Sequence, residues 1–309
     1  MIAAAIAGVS YGQATDGHAP AAQSRCFGAA ARDVRQPCHN PRLNSEVVPT
    51  PVQARDRPNA PCTIVEEQGP LRVCQFGAPA PSATSTVALL GDSHAAHWRA
   101  ALEVVAQAKG WRGLSIALSG CPFSTATRVL PEPLLSQCIE RNREVPQWFA
   151  AHPEIHTVFV SELSGARWLL PRSQNMFEAQ VADYIAAWSE LPASVQHIVV
   201  IRDDPKDLPG TRTCIQRALN ANESAGSRCA VPRAAALDPD AAVAAARRLE
   251  SPRVQVADLT RYFCDARRCY PVIGGALVHK DLHHMTAVFV TTLGPYLVNE
   301  VNRLSKSWR

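Results

Sequence analysis

The chain has 309 residues, 47% hydrophobic and 19% charged, ordinary values for a sequence that buries the core of one large domain with or without an extension. Its formal net charge of +4 is mild, and no run of Lys and Arg gathers on one stretch, which excludes a nucleic-acid-binding face. No segment reaches the roughly 20 consecutive apolar residues that a membrane-spanning helix requires.

Met1–Gly8 (MIAAAIAG) is apolar but short and has no basic residue before it, so it reads as a candidate remnant of a signal or membrane segment. Residues 1–84 hold ten of the 24 prolines and show neither helical nor strand periodicity; they are expected to form an irregular N-terminal extension. The pattern changes in the remainder, 85–309, which reads as one α/β domain. Thr86–Leu90 (TVALL) is a buried-strand signal ending at Gly91, and His94–Lys109 places Trp98, Ala101, Leu102, Val105 and Ala108 on one helical face. Leu114–Leu118 and Thr157–Val160 follow as strands. Asn175 and Glu178 form a capping-box-like start to a helix carrying Phe177, Val181, Ile185 and Trp188. His197–Ile201 is a fourth strand, Asp238–Leu249 an Ala-rich helix with Pro239 in its first turn, and Val254–Leu259 a fifth strand, with a last helical stretch after Thr286. Alternation of this kind predicts a three-layer α/β/α sandwich around a parallel sheet of about five strands, with functional groups at the carboxyl ends of the strands.

The ten cysteines fall into near neighbours: Cys26 with Cys38, Cys62 with Cys74, Cys121 with Cys138, Cys214 with Cys229, and Cys264 with Cys269. An even count in loop-like settings predicts disulfides and an extracytoplasmic, oxidising compartment; the pairing is a guess from proximity, because connectivity is not encoded in spacing. No CxxC is present, and no metal or other cofactor is expected.

Gly91-Asp92-Ser93-His94 sits where the first strand turns into a helix. A serine there is exposed, and its N–H lies near the positive end of the helix dipole, which suits a nucleophile whose transition state develops an oxyanion. The same position also suits a simple helix cap. A serine nucleophile needs a base with an orienting partner. Asp281-Leu282-His283-His284 supplies a carboxylate three residues before an imidazole, in reach of Nδ1, leaving Nε2 for the serine; His283 is the competing base.

GDSH at 91–94 together with DLHH at 281–284 resembles the first and last motif blocks of the SGNH/GDSL hydrolases, which are α/β/α sandwiches (flavodoxin-like in their strand order) that process acyl esters. VALLGDSHAAHW (87–98), GCP (120–122), ARW (166–168), RDDP (202–205) and CDARRCYPVIGGALVHKDLHHMT (264–286) resemble more particularly the SGNH domains attached to bacterial membrane acyltransferases that O-acetylate surface polysaccharides. The resemblance implies Ser93 as nucleophile, His284 as base and acid, and Asp281 as orienter. It implies an O-acyltransferase working through an acyl-enzyme, with an acyl ester or acyl donor, a glycan acceptor, and an integral-membrane acyltransferase domain or subunit as partner, in the periplasm. An acetyl or carboxyl esterase with the same triad, and a non-catalytic glycan-binding accessory domain, remain the alternatives.

The family places a glycine after its second strand and an asparagine, usually in GxND, after its third. Gly120 matches the glycine, so Ser93 and Gly120 are the candidate oxyanion donors. After the third strand the chain reads Ser161-Glu162-Leu163-Ser164-Gly165-Ala166-Arg167-Trp168, without GxND, and Arg167 is the substitute donor that position suggests. Asp92, His94 and Trp168 are candidate substrate contacts. Asp203 and Asp204 are expected to be solvated turn carboxylates.

Overall fold

The computed structural model describes residues 25–308 apart from 59, 61 and 170–174; the apolar Met1–Gly8 stretch lies outside the described residues. Short runs of β-branched and apolar residues form one seven-stranded sheet from β1 (Thr63–Gln68), β2 (Leu71–Gly77), β3 (Ser85–Gly91), β4 (Trp111–Ala117), β5 (Ile155–Ser161), β6 (His197–Ile201) and β7 (Val254–Ala257). The order is β1-β2-β4-β3-β5-β6-β7. Strands β4, β3, β5, β6 and β7 pair in parallel, whereas β1 pairs with β2 and β2 with β4 antiparallel. Numbered along the chain, the parallel part runs 2-1-3-4-5, the flavodoxin-like order of doubly wound sheets. The predicted α/β class is thus the observed one.

Period-2 alternation feeds two cores. Val87 and Leu89 of β3, Phe159 of β5, and Val199 and Ile201 of β6 face one layer with Trp98 of α1 (Ser93–Lys109) and Phe289 and Leu293 of α6 (Ala287–Leu304). Ala88 and Leu90, Val158 and Val160, and Ile198 and Val200 face the other, with α2 (Leu134–Ala151), α3 (Met176–Ser189) and α5 (Ala241–Leu249). The remaining longer helix, α4 (Thr211–Asn220), packs Ile215 and Ala218 into a small third cluster. Trp98 is fully buried, so truncation to Ala costs about 3–5 kcal/mol.

Three local readings need correction. Residues 63–77, expected to be irregular, form the hairpin β1–β2 and extend the sheet. Leu71, Val73 and Phe76 are buried, while β1 is nearly all exposed, as an outermost strand with TIVEEQ can afford. The helix read as 238–249 begins at Ala241, because Asp240 is the cap: its Oδ1 accepts from the Val243 N–H at 2.9 Å, leaving Pro239 outside. Asn175 does cap α3, accepting from the N–H groups of Phe177 and Glu178, but Glu178 does not close a capping box and pairs with Arg248 at 2.8 Å.

All five cysteine couples expected from proximity are bonded: Cys26–Cys38, Cys62–Cys74, Cys121–Cys138, Cys214–Cys229 and Cys264–Cys269. The first holds a lead-in that is part of the main core. Phe27 and Ala29 are buried there, and the Ala29 N–H donates to Thr292 Oγ1 of α6 at 2.9 Å. Among the described residues no helix is long and apolar enough to cross a membrane.

Candidate active site

The site forms at the carboxyl edge of the sheet, at the switch point between β3 and its neighbours β4 and β5, where the strand order reverses. β3 ends at Gly91 with φ +148°, a conformation L side chains rarely adopt; a Cβ there would come within 2.1 Å of the Ser161 carbonyl oxygen on β5. Glycine therefore lets the strand turn directly into α1. Asp92 caps that helix, its Oδ1 accepting from the His94 N–H at 2.8 Å, and Ser93 is the first helical residue. The first-turn N–H groups of a helix have no intrahelical acceptor, so the Ser93 N–H remains available to an oxyanion.

From the far end of the chain, the loop before α6 brings an imidazole onto Ser93. His284 Nε2 lies 2.9 Å from Ser93 Oγ, and His284 Nδ1 lies 2.8 Å from Asp281 Oδ2. Asp281 Oδ1 also accepts from the N–H groups of His283 at 3.0 Å and His284 at 2.8 Å, which fixes the carboxylate against the ring. Burial opposes the charge on Asp281, but the bonds from His284 and the two amides outweigh it and hold the carboxyl below its ordinary range. Ionised Asp281 accepts a hydrogen bond from Nδ1–H and so leaves the Nε2 lone pair toward Ser93. The loop is closed by Thr286, which caps α6 through Phe289 N–H and donates its hydroxyl to the Leu277 carbonyl.

Behind this relay lies a second set of histidines and carboxylates. His94 Nδ1 is 2.5 Å from Asp203 Oδ1, and His94 Nε2 is 3.2 Å from His283 Nδ1. His279 bridges Asp204 (2.9 Å) and Asp207 (3.3 Å), and His97 Nε2 lies 3.1 Å from Asp204 Oδ1. The Met285 N–H donates to His97 Nδ1. Burial disfavours the imidazolium of His94, yet Asp203 and Asp204 outweigh it and raise the pKa well above the ordinary value. In His97, by contrast, burial outweighs Asp204 and the pKa is lowered. Asp203 and Asp204, expected in solvent, are in fact 5% and 6% exposed. Asp203 Oδ2 accepts from both the N–H and the hydroxyl of Ser164, so the loop after β5 is tied to the loop after β6.

Under the Ser93 turn lies a sealed assembly of ionisable groups. Asp92 is fully buried and is held by Arg128 at 3.1 Å and by the Leu163 N–H at 3.2 Å. Glu162 accepts from the N–H groups of Asp92 (3.1 Å) and Phe123 (2.9 Å), and Arg141 of α2 donates to the carbonyls of Gly91 and Cys121. Burial and the neighbouring Asp92 raise the Glu162 pKa well above its ordinary value, against the pull of the two amides and Arg141. Burial likewise lowers Arg141, to about 10, although Glu162 and Asp92 favour its charge.

Ser93, His284 and Asp281 are thus brought together, and His94 touches His283 beside them. Gly120 follows β4 with φ +74°. Asp92 and Trp168 are not open to a ligand: Asp92 is the buried cap, and Trp168, 4% exposed, packs edge-on against Tyr184 in the core. The Arg167 side chain is exposed and makes no ion pair or hydrogen bond among the described residues, while its backbone carbonyl accepts from the Val129 N–H. Sequence reading missed Arg128, Arg141, Glu162 and Asp207. Arg141 lies in α2, an element not anticipated; Glu162 stands where GxND was sought, and its position right after a strand end was the available signal.

A hydrogen-bonded Ser–His–Asp set at the switch point of a 2-1-3-4-5 sheet defines the structural class. The family model for the SGNH domain (fused to AT3 domains) matches residues 61–299, and the chain belongs to that family. Among solved structures, the periplasmic domain of a lipopolysaccharide acetyltransferase from Salmonella ser. Paratyphi A superposes with a TM-score of 0.55 at 12% identity, covering 72% of this chain and 85% of that one. At that identity the likeness is one of fold. No curated protein matches the chain.

Proposed function

We propose that the chain is a serine-dependent O-acyltransferase that carries an acetyl group on Ser93 and passes it to a hydroxyl of a surface polysaccharide. The observation that carries this reading is the continuous path from Ser93 Oγ through His284 to Asp281, with both hydrogen bonds below 3 Å. As Ser93 Oγ attacks the acyl carbonyl, its proton moves to His284 Nε2, and ionised Asp281 stabilises the resulting imidazolium. The oxyanion of the tetrahedral intermediate is received by the N–H groups of Ser93 and Gly120; each such donor is worth roughly 3–4 kcal/mol of barrier. His284 then gives the proton to the leaving group, later takes one from the sugar hydroxyl that attacks the acyl-enzyme, and returns it to Ser93 Oγ as the acyl–Oγ bond breaks.

Five disulfides support work in an oxidising, extracytoplasmic compartment, and family members' fusion to AT3 domains supports a membrane acyltransferase as partner or parent. Hydrolysis is the second reading, favoured by the His284 side chain being 22% exposed, which lets water compete as acceptor. Brief exposure to p-nitrophenyl acetate followed by acid quench and peptide mapping is expected to find one acetyl group on Ser93, absent from Ser93→Ala. Full esterase activity in Ser93→Ala would sink the serine mechanism. The ratio of acetylated glycan to free acetate, with and without acceptor, separates transfer from hydrolysis.

A further inference from the structure

Three imidazoles converge on the rim: one nitrogen each of His94, His283 and His284 can be chosen so that all three lie within 4.8 Å of one another. His94 Nε2 and His283 Nδ1 are already 3.2 Å apart, close to the roughly 3.3 Å that separates two nitrogens bound at about 2.0–2.1 Å to a tetrahedral zinc ion. The opposite nitrogen is engaged by a carboxylate in two of the three rings: Asp203 on His94 Nδ1, and Asp281 on His284 Nδ1. Metal-binding histidines characteristically carry such a partner, which sets the tautomer and aims the other nitrogen at the ion. Asp203 is itself fixed by the N–H and hydroxyl of Ser164 and by the Asp204 N–H. His283 and His284 are only partly buried, so the cluster has an entry path from solvent. The neighbouring group His94, His97 and Asp204 lacks one, all three being buried, and there Asp203 already occupies His94 Nδ1.

We propose that His94, His283 and His284 form a binding site for one divalent transition-metal ion of the zinc class, and that its occupation takes the His284 lone pair from Ser93. The ligand set is three imidazoles, with the fourth tetrahedral position left to water. Between His94 and His283 the ion replaces the proton shared by their facing nitrogens. The metal acts here as a brake on the serine relay. That consequence rests on the serine reading; the binding does not.

The test is calorimetric titration of the metal-stripped, untagged chain with zinc chloride. One zinc ion per chain is expected, with zinc–nitrogen distances near 2.0–2.1 Å by X-ray absorption. His283→Gln should weaken binding at least about tenfold, and Asp203→Asn about 10- to 100-fold. His152→Gln, at the far end of α2, should leave binding unchanged, and so should Ser93→Ala, which keeps every ligand. Circular dichroism of His283→Gln, altered at a partly exposed ring, checks that the fold persists. Substoichiometric binding, or binding that His283→Gln does not weaken, overturns the site. Zinc should also slow phosphonate labelling of Ser93 at least tenfold in the unaltered chain but not in His283→Gln. Zinc bound without slower labelling overturns the brake, whereas failure to label without metal counts against the serine reading alone.

Discussion

Two charged assemblies flank the Ser93 turn and differ in their access to water. On the rim side, Ser93, His284 and Asp281 are partly exposed, with 44% of the Asp281 side chain accessible. On the inner side, Asp92, Glu162 and Arg141 are all but sealed from solvent. Both sets combine carboxylates with nitrogen donors. In the open set a proton can move and a substrate can approach, so the groups suit chemistry. In the sealed set the side chains hold backbone amides and carbonyls around three strand ends in place, and that assembly fixes the Ser93 turn. Burial, more than residue type, separates positioning from reactivity.

The sharpest way to test that contrast is to perturb each side and read both activity and stability. Asp281→Asn keeps the shape but loses the carboxylate that holds the Nδ1 proton; acyl turnover should fall about 10³- to 10⁴-fold, with a smaller stability loss of about 1–2 kcal/mol in urea unfolding. Arg141→Met should do the reverse in kind, since it strands buried carboxylates and frees the Gly91 and Cys121 carbonyls. A loss of about 3–5 kcal/mol is expected in denaturant melts. If Arg141→Met left stability unchanged, the sealed assembly would not be holding the turn.

A third measurement uses pH. Burial opposes a charged His279, but Asp207 and Asp204 outweigh it and push the pKa up to about 10, from an ordinary 6.5. A group whose pKa is higher folded than unfolded binds its proton more tightly in the native state. The stability it contributes is full below pH 6.5 and is lost as pH rises toward 10. Urea unfolding from pH 6 to 10 should show that decline, and His279→Gln should make it shallower, with the raised His94 accounting for part of what remains. The smallest effect is Thr286→Ala, which removes the α6 cap beside the loop that carries His284 and should cost about 1 kcal/mol, read as a lowered midpoint in thermal melts.

Much of this was legible along the chain because the signals are local. TVALL before GDSH, HIVVI and Asn175 before an amphipathic stretch each carry their own periodicity or cap. β1 and β2 were not, although Leu71 and Val73 alternate with Arg72 after the Gly69-Pro70 turn. Prolines crowd the surrounding segment, and β1 buries almost nothing. The α2 helix was obscured by Pro146 within it. Asp203 and Asp204 looked like turn residues because local sequence carries no record of the histidines that later fold over them.

By itself the sequence determined the strand–helix alternation, the serine at a strand-to-helix turn and the Asp-x-x-His spacing, since each depends on residues only a few positions apart. Only the tertiary structure decided that His284 meets Ser93 across 191 positions, that Asp92 and Trp168 are buried, and that His94, His97 and His279 share a wall of carboxylates. Those outcomes depend on which strand ends become neighbours and which side chains lose water, and chain folding alone settles both.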